Sequence, residues 1–431
     1  MNTTLRHALS LILFLPLCLC MGAQTLTLEK CVELATANYP VISKYRLVER
    51  TGELNLSDIN KSWLPQIGVY GQGTVQNVVP SFPDALSEMM DRLGADIHGL
   101  GKLQYKVGVD LNQTIWDGGA SKAGCEVERT LTDERRANLD VQLYAVRERV
   151  ENLFFGILLM DKQIEQTQLT GELLRSNLGR LQAMMRNGTA MQSDVDMVEA
   201  QYLATRQSLA QARATAGSYR RMLGIFIGED PGERTLETPV AAIPADLTVN
   251  RPELGLYDAR MRVNDARDNS IRASLMPKVG LFAQAYYGYP GLDYFKSMMN
   301  KDLSFNAIAG VKVSWNIGSL YTRKNNENRL RADTEGIGVE RETFLFNSRI
   351  KEREQYGRIE ELREVMADDD RIVELRAGVR KAAEAQLVNG VIDATALLTR
   401  ITDENLARLA ASYHKIQYIQ SIYQLKYTLN R

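Results

Sequence analysis

The sequence predicts an α+β fold of very long helices and a few strands, and three observations predict it. Prolines are absent from Asp84 to Asp230 and after Pro290, four short segments alternate apolar and polar residues, and matching motifs recur in the same order in both halves. Composition narrows the class: the 431 residues are 45% hydrophobic and 24% charged, with 52 Lys+Arg against 53 Asp+Glu and a net charge of −1. A mean hydropathy of −0.25 excludes a polytopic helical membrane protein, which needs several apolar runs of about 20 residues. The balanced charge leaves no basic footprint, so no nucleic-acid partner is expected. Three histidines (His7, His98, His414) and four cysteines (Cys18, Cys20, Cys31, Cys125) are too scattered for a metal or redox constellation, and neither a metal nor a cofactor is expected.

Residues 1–23 read as a secretory signal peptide: an apolar run from Ala8 to Leu19 follows Arg6, and the small residues before Gln24 suit cleavage after Ala23. About a dozen apolar residues is short for a membrane anchor, which needs about 20. Cys18 and Cys20 leave lipidation open, although Leu17 and Leu19 precede them where a small residue is expected. Cys31 and Cys125 would then remain, without disulfide-framework spacing.

The proline-free tracts Val141 to Arg186, Met191 to Leu223 and Arg341 to Val388 are rich in Leu, Ala, Glu, Gln and Arg, all good helix formers. Counted from Ala120, the first such helix reaches Arg186 in 67 residues, which at 1.5 Å per residue is roughly 100 Å. The pairs Asn187-Gly188 and Asn389-Gly390 interrupt helical sequence on both sides. Gly accepts the left-handed conformation without penalty, so each pair reads as the tip of a helical hairpin. Five residues after each Gly stands a hydroxyl (Ser193, Thr395), and seven after, an aliphatic (Val195, Leu397). Leu223-Gly224 reads as a helix end before the proline-rich stretch from Pro231 to Pro252.

The tips belong to a longer repeat. Val107-Gly-Val-Asp-Leu-Asn-Gln-Thr-Ile115 matches Ala309-Gly-Val-Lys-Val-Ser-Trp-Asn-Ile317 in pattern, and Gly108 to Gly310 is the same 202-residue step as Gly188 to Gly390. Leu64-Pro-Gln-Ile-Gly-Val-Tyr70 matches Met276-Pro-Lys-Val-Gly-Leu-Phe282 with Pro65 and Pro277 212 apart, so the extra length falls in a loop between strands. The organisation expected is a first repeat over 24–230, a connector over 231–250 and a second repeat over 251–431.

Each repeat carries two strand-like segments. Ile67, Val69 and Val75 oppose Gln66, Gln72 and Thr74; Val107, Val109, Leu111 and Ile115 oppose Lys106, Asp110 and Asn112. Val279, Leu281, Ala283, Ala285 and Tyr287 oppose Lys278 and Gln284, while Phe305, Ala307, Ala309, Val311, Val313 and Trp315 oppose Asn306, Lys312 and Ser314. Strands of about ten residues with one apolar and one polar face suit a transmembrane β-barrel, lipid outside and water inside, with an amphipathic sheet over a core as the alternative. Trp63, Trp315, Phe305 and Tyr289 stand at strand ends, where membrane-interface aromatics belong. Four strands cannot close and an open edge is not tolerated in lipid, so several chains must contribute. Long loops, about Val79 to Gly101 and Pro290 to Asp302, would join the strands at one end and long helices at the other.

The sequence closely resembles the TolC family of outer-membrane efflux proteins. The resemblance rests on Leu26-Thr-Leu-Glu-Lys-Cys-Val-Glu-Leu-Ala-Thr-Ala-Asn-Tyr-Pro40, Trp63-Leu-Pro-Gln-Ile-Gly68, Leu275-Met-Pro-Lys-Val-Gly280, Asn112-Gln-Thr-Ile-Trp-Asp-Gly-Gly119 and the two Asn-Gly hairpins. It implies a homotrimer in the cell outer membrane, with four strands per chain in a twelve-stranded barrel continued by a long antiparallel α-helical barrel in the periplasm. It implies a passive exit duct of a tripartite efflux or type I secretion system, surrounded by outer-membrane lipid. Its partners would be a periplasmic membrane-fusion adaptor and an inner-membrane pump of the RND, MFS or ABC class. By position, the docking tips would be Asn187, Gly188 and Thr189, and Asn389, Gly390 and Val391, with Asp194 near the periplasmic aperture. Asp194 reads equally as a first-turn helix acid. In the second copy Ala396 and Thr399 stand where some members place acids, with Asp393 nearby instead.

No enzyme motif is found: His98 falls in an expected external loop and His414 in a helix, and neither has a nucleophile or carboxylate partner within a motif. The structural alternative is an outer-membrane-anchored trimeric coiled-coil stalk or adhesin, which needs sustained heptads and a surface head.

Overall fold

The computed structural model describes residues 25–94 and 99–431. The expected signal peptide, with His7, Cys18 and Cys20, lies outside the described residues, as does His98. In chain order the elements are α1 (Leu28–Asn38), α2 (Ile42–Lys61), β1 (Gln66–Val75), α3 (Asp84–Arg92), β2 (Leu103–Trp116), α4 (Ala120–Arg186), α5 (Gln192–Ile227), α6 (Pro252–Ser274), β3 (Lys278–Tyr289), α7 (Tyr294–Met299), β4 (Ser304–Ser314), α8 (Ser319–Val388) and α9 (Ala394–Leu429). The described residues divide into two compact units, one of residues 25–42, 142–251 and 345–431, the other of residues 43–94, 99–141 and 252–344. Each therefore draws on both halves of the sequence.

The first unit contains the larger apolar core. Phe154, Phe155, Ile157 and Leu158 of α4, Leu223 and Ile227 of α5 and Tyr423 of α9 pack with Leu28, Cys31 and Ala35 of α1. Thr27 caps α1 by accepting the Lys30 N–H at 3.3 Å, which meets one of the unpaired donors of a helix start. The connector between the halves is part of this packing. Leu26 and Leu236 form a parallel bridge, and Ala241, Ile243, Leu247 and Val249 pack against Ile359, Ile422, Leu425 and Leu429. Burial pushes the Glu151 carboxyl up to about 7, although Arg147 Nε donates to it at 2.8 Å.

One helix end differs from expectation: α5 does not stop at Leu223-Gly224 but runs to Ile227, where Gly228 takes φ 77° and its N–H bonds Gly224 O at 2.9 Å. Leu223 and Ile227 lie four apart on the buried face, and burying Ile227 outweighs the roughly 1 kcal/mol cost of a glycine inside the helix.

In the second unit, α2 lies along α4 through Asn55 Nδ2 to Glu128 Oε1 at 2.9 Å and Arg136 to Glu49 at 2.9 Å. Gly52 permits the close approach, since a Cβ there would stand 2.6 Å from Thr132 Oγ1. Likewise α6 lies along α8 through Arg260 to Glu340 and Asn264 to Thr334. The strands form one antiparallel sheet in the order β1-β2-β3-β4, with β1 and β4 at its edges. The segments expected as plain loops instead hold α3 and α7, the latter capped by Asp293 through the Lys296 N–H at 2.9 Å.

Candidate functional site

The two hairpin tips of the first unit close in the same way. After α4, Gly188 has φ 75°, its N–H bonds Met185 O at 3.0 Å and the Thr189 N–H bonds Met184 O at 2.9 Å. After α8, Gly390 has φ 68°, its N–H bonds Leu387 O at 3.0 Å and the Val391 N–H bonds Gln386 O at 2.9 Å. This is the Schellman arrangement, in which a left-handed residue lets the chain turn back and satisfies carbonyls that the helix end leaves free. Asn187 and Asn389 precede the left-handed position, and Asn389 Nδ2 also donates to Ala385 O at 2.9 Å.

The returning helices start differently. Asp194, in the first turn of α5, reaches back to accept the Met191 N–H at 3.0 Å. Asp393, at the N-cap of α9, accepts the Ala396 N–H at 2.8 Å. Both acids thus serve helix starts, where carboxylates are favoured by the free N–H groups and the dipole. Below the turns, Leu174, Leu181, Val195, Val198, Ala383, Leu387, Ala394, Leu397 and Ile401 form a core common to α4, α5, α8 and α9. A cleft of about 680 Å³ opens between the tips, lined in part by Met184, Thr189, Val391 and Ile392. Met191 and Val391 stand exposed there.

In the second unit, register decides which side chains share a face, because directly paired residues project to the same side. Ile67, Val69 and Val75 pair with Leu111, Val109 and Leu103. Val107, Val109 and Leu111 pair with Tyr287, Ala285 and Ala283, and these pair with Phe305, Ala307 and Ala309. All four alternations therefore fall on one continuous apolar face, where Val69, Val107, Val311 and Val313 are exposed. A bulge changes one detail: Trp116, not Ile115, stands opposite Val279, because the register shifts between Thr114 and Trp116. A bulge inserts one extra residue and so reverses the parity beyond it.

The opposite face carries Gln66, Gln72, Asp110, Gln284 and the lysines. Gly108 lies here, and a Cβ on it would stand 2.7 Å from Ala285 O and 2.9 Å from the Tyr70 hydroxyl. Its lack of a side chain lets Tyr70 and Tyr286 lean over the strand. Lys106 Nζ sits 5.8 and 5.3 Å from their ring centroids. Sequence alternation missed this group, because aromatics at polar-parity positions break the pattern.

Of the expected interface aromatics, Trp63, Trp315 and Phe305 are exposed, and Trp315 Nε1 donates to Leu275 O at 2.9 Å. Tyr289 is different: it is 3% exposed, and its hydroxyl accepts the Gly101 N–H at 2.6 Å. Trp116, at the end of β2, is also exposed. Among the described residues no helix is long and apolar enough to cross a membrane, and no group of His, Cys, Asp and Glu is placed to hold a metal.

The family model for outer membrane efflux proteins matches residues 34–221. No curated protein matches the chain. Among solved structures, CusC superposes with a TM-score of 0.68 at 13% identity, covering 93% of this chain and 91% of that one. The MtrE outer-membrane channel of Neisseria gonorrhoeae gives 0.67 at 15% identity, covering 93% and 88%. The CmeC outer-membrane channel of Campylobacter jejuni gives 0.66 at 14% identity, covering 93% and 85%. Residues 34–221 thus match the family model for outer membrane efflux proteins, and the chain shares the fold of these outer-membrane channels over 93% of its length.

Proposed function

We propose that this chain is the outer-membrane exit duct of a tripartite efflux pump, conducting solutes passively to the exterior. The observation that carries the reading is the sheet: four strands with one continuous apolar face and two unpaired edges, β1 and β4. A free edge in hydrocarbon leaves backbone N–H and C=O groups unpaired at several kcal/mol each, so the edges must pair with other copies. Three copies give twelve strands, and the exposed valines then face lipid. The repeats over 24–230 and 251–431, joined through 231–250, supply equivalent pairs of strands and hairpins to that ring.

The tips are the proposed docking site for a periplasmic adaptor, which would recruit an inner-membrane pump of the RND, MFS or ABC class. Asn187, Gly188 and Thr189, with Asn389, Gly390 and Val391, form the two turns, and the exposed Met191 and Val391 beside the cleft offer apolar surface to a partner. Asp194 is proposed to stand near the aperture. Trp63, Trp315 and Phe305 are the proposed membrane-interface aromatics; Tyr289, being buried, is not.

The test is extraction of the outer membrane with detergent, mass determination by light scattering corrected for detergent, and negative-stain imaging. A trimer with a projecting rod of roughly 100 Å, the length of a 67-residue helix, is the expected result. A water-soluble monomer would overturn the duct.

A further inference from the structure

The charged residues of the four strands are Lys106, Asp110, Lys278 and Lys312. All four lie on the polar face. Lys106 is in register with Gln72, Gly288 and Ser304, Asp110 with Gly68 and Gln284, Lys278 with Ser314, and Lys312 with Gly280. The lysines form no ion pair with a described residue. Lys106 is held between the Tyr70 and Tyr286 rings, Lys278 and Lys312 are exposed, and Asp110 accepts from Asn112 Nδ2 at 3.3 Å. Lys106 lies near the strand ends that meet α3 and α7. Lys278 and Lys312 lie near those that meet α6 and α8, and the single acid is between.

We infer that this face is an anion-selective lining: the polar face of the sheet favours small solutes bearing carboxylate, sulfonate or phosphate groups over cations, and Lys106, Lys278 and Lys312 produce the preference. The inference rests on the channel reading, in which the polar face bounds the water-filled lumen. Each chain then contributes two net positive charges there, so three chains contribute six. From a strand spacing of about 4.8 Å and a tilt near 40°, a twelve-stranded barrel has a backbone radius of about 12 Å. A lysine side chain reaching about 6 Å inward leaves its charge about as far from the axis, within the Debye length of about 10 Å at 0.1 M salt. The field of the ring is therefore felt across the whole bore. Low-dielectric walls on the lipid side concentrate it further.

The test reads the local potential directly and does not depend on whether the periplasmic end is open. In the trimer in outer-membrane vesicles, Gln284→Cys places a thiol on the polar face in the Asp110 row, and Ala285→Cys places one on the apolar face. The parent chain, whose described cysteines Cys31 and Cys125 are buried, is the blank. Each variant is treated with a methanethiosulfonate bearing a sulfonate and, separately, with one bearing a trimethylammonium. Rates are normalised to those of free cysteine. A lumen potential of about one kT raises the anionic-to-cationic rate ratio about sevenfold. The expected results are a several-fold preference for the sulfonate at Gln284→Cys and a further rise with Asp110→Asn. Lys106→Gln, Lys278→Gln and Lys312→Gln together should bring a fall to the free-thiol ratio or below. Reaction at Gln284→Cys with the free-thiol ratio, unmoved by the lysine changes, would overturn the lining while leaving the channel intact. Reaction at Ala285→Cys instead of Gln284→Cys would overturn the orientation of the sheet, and the channel reading with it.

Discussion

The first unit and the sheet place the same kinds of residue in opposite surroundings. Phe154, Phe155 and Ile157 are fully buried within the chain, whereas Val69, Val107, Val311 and Val313 of the sheet remain exposed. Both sets are apolar and both sit in regular structure; what differs is whether a single chain can cover them. A long helix can meet α1, α5 and α9 of its own chain, but a four-stranded sheet has no second layer on its apolar face among the described residues. The first unit therefore draws stability from packing inside one chain, and on the proposed duct reading the sheet draws it from lipid and from further copies.

This contrast can be broken from either side. The largest effect is expected from Phe154→Ala: emptying a filled core site costs about 3–5 kcal/mol, seen as a lower denaturant midpoint in far-UV circular dichroism. Tryptophan fluorescence should respond less, because Trp63, Trp116 and Trp315 all lie at strand ends of the second unit. A midpoint unchanged within error would show that α4 is not cored as described. Next, Val311→Arg on the apolar face should cost about 2–4 kcal/mol if it meets hydrocarbon, read as loss of the SDS-resistant folded band in unheated gel samples. Thr74→Arg on the polar face should be tolerated. Equal tolerance of both would place the apolar face in water. The smallest effect sharpens the comparison between the hairpins. Gly188→Val and Gly390→Val each force a β-branched residue to positive φ, at about 1–3 kcal/mol, with open space around both positions. On the proposed reading, the trimer should therefore assemble while solute export falls. Normal export by either variant would count against the tips as the docking site.

Much of the fold was legible because it rests on local rules. Absence of proline over long tracts, period-two alternation and Asn-Gly pairs act through the backbone of a few neighbouring residues, and α4, the four strands and both left-handed glycines follow from them. The acid of the first tip was legible as a helix-start residue for the same reason: Asp194 bonds the N–H group three residues before it. The N-cap role of Asp393, which bonds the Ala396 N–H, emerged only from the structure. The Lys106 group was not legible, because Tyr70, Lys106 and Tyr286 come from three strands and meet only through register.

What the sequence by itself determined is thus the local geometry: helix length, strand parity, and where the chain turns back. The tertiary structure alone decided the end of α5 at Gly228, the bulge that sets Trp116 opposite Val279, the burial of Tyr289 against Gly101 and the connector packed into the first unit. Each of these turns on a contact between residues far apart in the chain, where burial or a long-range hydrogen bond outweighs a local preference of about 1 kcal/mol. Such contacts leave no periodic trace in the sequence, since they depend on which neighbour happens to lie opposite once the elements have packed.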